Sequence, residues 1–506
     1  MTTFSRVSLV SDRAVVVAVV IAAMLRVLFF VGLFPLFNNV DEVAHIDLVI
    51  KRETGLPTGA DEPYAMATRD LIFRFGYGAG LAHDGREIRL YLSPQFVDPI
   101  PESGDAPIPV WLAPDSVQKA VEPVAQAVWS TRRNHEATEL PLYYAIAARW
   151  ARLGERLGFR QAQLLYWVRG LDVAIVGLLV ALAGAFGRLC DPANRVFCLG
   201  LPILVAAFPQ KVFYSITNDA LSPLVGGLAI YGGLRLIASP RAHARDAVFA
   251  GTMVALAILT KLTNVFVIVM IPALVALRLR RAGPADASRA AAWLILGATA
   301  PLVIWRIAAG PSAFHAGDKA AALGWTYRPL AELLDHPIFT VPGAWHFVSQ
   351  LLKTFWRGEF SWHGVPLALP AMDAAFVACS LVLLGVAGLR LLRETRPDPQ
   401  RAMLVSLLIF TSGVLMLAGL SLIFDFGAFS YPSRALPFFT SGRLIGAALL
   451  PFAALFVYGL ETLLARTALR GHGVLVVFDL ALVVTVVELT LSMDAIGSPY
   501  NWFHLR

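Results

Sequence analysis

Residues 14–45 read AVVVAVVIAAMLRVLFFVGLFPLFNNVDEVAH. Ala14 to Phe37 holds a single charged residue, Arg26. That length suffices to cross a bilayer as a helix, which takes roughly 20 apolar residues. Directly after it, Asn38-Asn39-Val40-Asp41-Glu42-Val43-Ala44-His45 opens a long polar segment. Two carboxylates and an imidazole are thus held at a membrane edge. Ionisable groups so placed are a functional hypothesis by default.

Composition extends this reading to the whole chain. Of 506 residues, 57% are hydrophobic and 15% charged, and the mean hydropathy is positive. That balance excludes an ordinary soluble domain. Apolar runs bounded by Arg or Pro lie near 14–37, 164–187, 195–210, 213–237, 246–260, 262–280, 289–309, 366–389, 402–424, 442–465 and 472–493. They predict one all-α polytopic transmembrane domain over 1–506, with about eleven spans and a range of ten to thirteen. Leu140 to Leu157 is more amphipathic, with Arg149, Arg152, Glu155 and Arg156 along one side. Cys190, Cys198 and Cys379 lie in or beside apolar runs without metal-ligand spacing, which argues against a disulfide framework.

Charge distribution sets the expected orientation. The net charge is +7, yet residues 37–163 carry 17 of the 35 acids and only 13 of the 42 Lys and Arg. The remaining bases form short clusters between spans, a poor pattern for nucleic-acid binding. Taking the N-terminus as cytoplasmic puts Arg188 and Arg195, Arg235, Arg241 and Arg245, Arg278 to Arg289, Arg390 to Arg401, and Arg466 and Arg470 on the inner side. The short outer turns then keep little more than Lys211 and Lys261, as the positive-inside rule requires. The first span lacks a small-residue cleavage site and reads as a retained anchor. Both long loops, 38–163 and 310–365, fall on the outer face with Asp41, and the C-terminal end is expected there too. The expected location is a bacterial inner membrane with an extracytoplasmic site.

Nine prolines between Pro57 and Pro123 argue against one long helix in the first loop. Short interfacial helices and turns are expected instead, with Gly76, Gly78 and Gly80 as a flexible point. In the second loop, Trp345 to Trp356 reads as an amphipathic piece lying in the interface.

Several clusters carry possible chemistry. Asp41 either caps a helix start or serves as a general base, and His45 follows it by four positions. Asp41, Glu42 and His45 alone offer too few ligands to specify a metal, and no cofactor is expected. Leu140-Pro141-Leu142-Tyr143-Tyr144 reads as a helix start with interfacial tyrosines. Asn218 and Asp219 sit at an outer helix entrance, as a cap or as a substrate contact. Lys261, between two very apolar runs, either snorkels or meets a phosphate. Lys353, Arg357, Glu359 and His363 cluster in the second loop, and Arg434 and Arg443 precede or begin the tenth span. Arginine suits bidentate phosphate contact, from a lipid headgroup or a substrate. Within the spans, Arg169 and Asp172 are spaced to pair, and Arg26 has Glu488 as a candidate partner.

The order Asp41-Glu42, His45, Leu140 to Tyr144, Asn218-Asp219, Lys261 and Gly442-Arg443, with the long first outer loop, resembles the GT-C superfamily of integral-membrane glycosyltransferases. It is similar to bacterial members related to the protein-mannosyl and lipid A aminoarabinose transferase group. Leu140 stands where that family often has a first proline, and Leu444 stands where tyrosine often follows Gly-Arg. The resemblance implies a sugar donor on a polyprenyl phosphate and an inverting transfer at the outer face. Asp41 would be the acceptor's general base, Glu42 an orienting or second acid, and His45 a positioning group. Lys261, Arg434, Arg443, Lys353 and Arg357 are implied as phosphate or lipid contacts. Tyr143, Tyr144, Asn218, Asp219 and His363 are implied as substrate contacts. The acceptor, whether lipid, glycan or protein, is not named by the sequence. A lipid-linked oligosaccharide ligase or polymerase fits the same outer loops. A transporter fits less well, because polar residues gather on one side and no internal repeat appears.

Overall fold

A computed structural model describes residues 3–38, 41–59, 62–81, 88–92, 108–309, 319–321, 323–362, 365–429 and 431–501. Helices dominate, and among the described residues nine helical segments are long and apolar enough to cross a membrane. The chain is an all-α polytopic membrane protein. All eleven expected runs form helix, but two are short. Arg195–Ala206 has 12 residues and Ala244–Thr260 has 17, roughly 18 and 26 Å at 1.5 Å per residue. Arg195–Ala206 buries every residue from Phe197 to Val205, so protein rather than lipid surrounds most of it.

The bundle starts with α1 (Thr3–Leu33). The first loop supplies α2 (Glu42–Thr54), α3 (Met66–Gly76), α4 (Asp115–Thr131) and the amphipathic α5 (Leu142–Arg156). Then come α6 (Gln161–Arg169), α7 (Leu171–Cys190), α8 (Arg195–Ala206), α9 (Ser222–Ala238), α10 (Ala244–Thr260), α11 (Met270–Ala282) and α12 (Pro284–Ala309). After the second loop follow α13 (Val341–Arg357), α14 (Pro370–Leu391), α15 (Pro397–Ile423), α16 (Leu449–Leu464) and α17 (Gly473–Leu491).

Small residues let the helices approach closely. A Cβ at Gly251 on α10 would lie 2.1 Å from the Leu294 carbonyl oxygen on α12. One at Gly297 on α12 would lie 2.4 Å from the Val248 oxygen on α10. Backbones therefore touch directly, as in other membrane interfaces where hydrophobic drive between helices is weak.

Three stretches fold differently from what their sequence suggests. The glycines at 76, 78 and 80 lie in regular structure rather than in an open turn. Gly76 ends α3, and Gly78 and Gly80 pair with Tyr91 and Arg89 in a three-stranded antiparallel sheet of order β2-β1-β3 (Ile88–Leu92, Tyr77–Leu81, Ile108–Pro109). The amphipathic face of α13 lies in the core, not the interface. Trp356 stacks on Phe376 at 4.7 Å and Phe208 at 4.6 Å, and Phe355 meets Phe452 at 5.0 Å; Trp345 alone of its tryptophans stays exposed. Tyr143 and Tyr144 are likewise fully buried rather than interfacial.

Helix α7 fixes the two ends of the bundle. Its start follows Arg169, and its end leads to Asp191, bonded to Arg396 at 2.6 Å. The two lie roughly 30 Å apart along a 20-residue helix. The Arg396 end also holds the pairs Arg278–Asp286 and Arg390–Glu461, and Arg195–Asp12 at 2.8 Å. Arginines from alternate loops thus gather at one end, away from Asp41. Toward the Asp41 end, Arg26 does pair with Glu488, which Tyr214 also bonds at 2.8 Å.

Candidate functional site

The site begins in the turn between α1 and α2. Phe37 and Asp41 both adopt left-handed backbone, with φ of 61° and 63°. Each such non-glycine residue costs roughly 1–2 kcal/mol, so the surroundings must hold the turn. Glu42 does this. Its carboxylate accepts from the backbone N–H of Phe37 at 2.8 Å and of Ile216 at 3.0 Å. Arg169 adds a two-pronged grip, Nε to Oε1 at 2.7 Å and Nη2 to Oε2 at 2.6 Å. The rest of that guanidinium bonds the carbonyls of Val31, Phe34 and Pro35. Arg169 therefore has no donor left for Asp172, which is buried with neither oxygen hydrogen-bonded, contrary to the spacing argument. Glu42 is saturated and buried, so it orients the turn and does not face open space.

Asp41 occupies the N-cap position of α2 but makes no side-chain cap. Its carboxylate, 20% exposed, turns to Arg443 Nη2 at 2.9 Å and His135 Nε2 at 3.0 Å. Arg443 also donates from Nη1 to Asp219 at 3.0 Å and from Nε to Glu359 at 3.2 Å. One guanidinium thus joins three carboxylates from three distant segments. Gly442 explains how it is aimed. A Cβ there would sit 2.1 Å from the Phe355 nitrogen, so only glycine lets the chain pass against α13. Thr354 on that helix then bonds the Gly442 N–H at 2.9 Å and the Thr440 carbonyl at 2.5 Å.

Lys261 does not snorkel. It is buried and donates to Asp219 Oδ1 at 2.6 Å, the oxygen of that carboxylate that Arg443 leaves free. Thr217, rather than Asn218 or Asp219, caps the short helix starting at Asn218. Asn218 is thereby free to donate to Glu139 at 2.7 Å. From the second loop, Lys319 bonds Glu136 at 2.8 Å and also Glu139, tying the two outer loops together.

His45 is buried in a chain of hydroxyls. Its Nδ1 lies 2.7 Å from Tyr144 Oη and its Nε2 3.3 Å from Thr217 Oγ1. Thr217 in turn donates to Asp219 at 3.4 Å. Since that hydroxyl gives its hydrogen to Asp219, it accepts from Nε2–H, and Tyr144 donates to Nδ1. Burial pushes His45 down to about 3, so the ring is neutral at physiological pH. His45 is a positioning residue, not an exposed partner of Asp41.

Two partly exposed members of the cluster, Asp41 and His135, are shifted in opposite directions. Burial alone would raise the Asp41 carboxyl, but the His135 hydrogen bond and the Arg443 charge outweigh it and hold the group well below the usual carboxylate range. Burial would lower His135, yet Asp41 and Glu136 win and raise it. Ligand atoms of Asp41, His135 and Glu136 all lie within 4.8 Å of one another. They could hold a divalent ion only by loosening the Arg443 and Lys319 pairs that now neutralise both acids.

Other expected contacts lie elsewhere. Arg434 is exposed and grips Asp425 at 3.0–3.1 Å, outside the cluster. Arg357 is neutralised by Asp373 at 2.8 and 3.1 Å. Lys353 is half-buried on α13 with no ion pair among the described residues. His363 lies outside the described residues. Conversely, His135, Glu136, Glu139, Thr217, Lys319 and Glu359 join the cluster without having been assigned roles from sequence. The acid-rich run before Leu140 was the available signal for three of them.

A comparison with curated proteins gives no match. Residues 24–427 match the family described as predicted membrane protein DUF2142, which spans most of the chain and every first-loop member of the cluster. The chain belongs to the DUF2142 family of predicted membrane proteins.

Proposed function

We propose that this protein is a GT-C-type glycosyltransferase that moves a sugar from a polyprenyl-phosphate donor to an acceptor at the extracytoplasmic face of a bacterial inner membrane. The observation that carries the reading is the Arg443 guanidinium shared by Asp41, Asp219 and Glu359 at one end of the bundle. It sets a partly exposed carboxylate beside a cation suited to phosphate.

In this reading, Asp41 takes the proton from an acceptor hydroxyl or amine as that atom attacks the sugar's anomeric carbon. The bond from that carbon to the phosphate oxygen breaks, and the phosphate leaves with the electron pair. Arg443 and Lys261 stabilise the charge that develops there. One displacement inverts the anomeric centre. While Arg443 grips Asp41, the carboxylate is a weak base. A donor phosphate that draws Arg443 to itself strengthens the base beside it. Donor binding would then precede acceptor activation.

The test is direct. Purified protein in lipid nanodiscs is given labelled polyprenyl-phosphate sugars, and free polyprenyl phosphate and glycosylated product are followed together. Equal release and transfer support the reading. Transfer of a preassembled chain would make the enzyme a ligase, and absence of turnover with every donor would remove the proposal.

A further inference from the structure

The second loop exposes large apolar side chains in a stretch that is not a transmembrane helix. Leu330, Leu334 and Val341 are 84%, 80% and 85% exposed, and Tyr327, Phe339 and Trp345 are exposed as well. A soluble surface rarely shows so many together. Their setting says what covers them. Strand β4 (Thr326–Tyr327) pairs with β5 (Phe424–Asp425), with Tyr327 opposite Phe424 and its ring 5.1 Å from that ring. Phe424 directly follows Ile423, the last residue of α15, and α15 exposes Leu404, Leu408, Leu415 and Ile423 along its length.

Depth follows from helix length. From Arg401, at the arginine-rich end, to Ile423 is roughly 33 Å at 1.5 Å per residue, close to the hydrocarbon thickness of about 30 Å. Ile423 therefore ends the span near the opposite boundary, and Tyr327 begins beside it at interfacial depth. Tyrosine and tryptophan favour that depth. The turn is held rigidly there: buried His336 bonds the Pro437 carbonyl at 2.9 Å and caps Ile338 at 3.0 Å. Exposed Leu436 extends the apolar surface beside it.

We propose that residues 327–345 form a platform that lies in the bilayer interface at the end of the bundle holding Arg443, with lipid as its occupant. The platform leads into α13, whose Thr354 fixes Gly442. Membrane contact is thus joined by one helix to the residue that aims Arg443. This proposal stands whether or not the protein transfers sugars.

The experiment uses the full chain in nanodiscs, with Cys379→Ser removing the exposed thiol. Leu330→Cys and Leu334→Cys, made separately, carry an environment-sensitive fluorophore; Ser130→Cys on α4 serves as the aqueous reference. Lipids bearing a shallow nitroxide should quench the labels at 330 and 334 about threefold more than the reference, while aqueous iodide should do the reverse. Iodide access without lipid quenching overturns the proposal. Shielding from both probes, or shielding that fades as protein is diluted into excess lipid, gives the surface to a protein partner or a second copy and overturns it equally.

Discussion

Arg443 and Asp41, 402 positions apart in sequence, meet at 2.9 Å at the end of the bundle away from the arginine-rich loops. The contact joins the first loop to the entrance of the tenth span. It also leaves the acid partly exposed while the groups around it, Glu42, His45, Asp219 and Lys261, are buried. The site is a buried frame around two partly exposed carboxylates, Asp41 and Glu359, both held by Arg443.

Replacing Arg443 with lysine keeps the charge but loses the fork that serves three carboxylates. The apparent donor affinity should fall about tenfold or more, with little change in acceptor affinity. Separate donor and acceptor titrations of the rate check this. A loss confined to the acceptor would remove Arg443 from the phosphate.

Glu42→Gln should act on folding rather than chemistry. Removing one partner of a buried ion pair leaves Arg169 uncompensated, at a cost of about 3–5 kcal/mol. Thermal unfolding in detergent measures it, and replacing both Glu42 and Arg169 with methionine should recover part of the loss. An unchanged melting temperature with abolished turnover would instead make Glu42 a reacting group.

The sequence showed the frame better than the frame's contents. Hydropathy and arginine spacing are local properties, so every span from Ala14 to Leu491 could be read from them. Asp41 could be read as well, being an acid at the end of a span. The Arg169–Asp172 pairing failed because Glu42, 127 positions away, takes the guanidinium along with three carbonyls. Trp356 looked interfacial by type but stacks in the core. Lys319 gave no sign of reaching Glu136, because that contact spans 183 positions and depends on how both loops fold back. Such pairings follow from tertiary packing, which periodicity does not encode.

Stability should fall in acid partly through His45. Its folded value is about 3 against an ordinary 6.5, so between those limits the unfolded chain binds a proton that the folded chain does not. The stabilisation from keeping the ring neutral is complete above pH 6.5 and is lost as pH drops toward 3, by on the order of a few kcal/mol. His135, raised above 6.5, has the opposite sign, contributing below that value and fading as pH rises. Melting temperatures of the natural protein and of His45→Asn should therefore converge between pH 7 and pH 4. A gap that stays constant across that range would contradict the buried neutral ring.

The most direct measurement is turnover by Asp41→Asn. Asparagine keeps the size of the side chain and can still bond His135, so insertion and melting temperature should stay near those of the natural protein. Transfer of labelled sugar from the polyprenyl-phosphate donor should drop by about 10²-fold or more, the contribution expected of a positioned general base. Turnover at the natural rate by a folded Asp41→Asn protein would contradict the account.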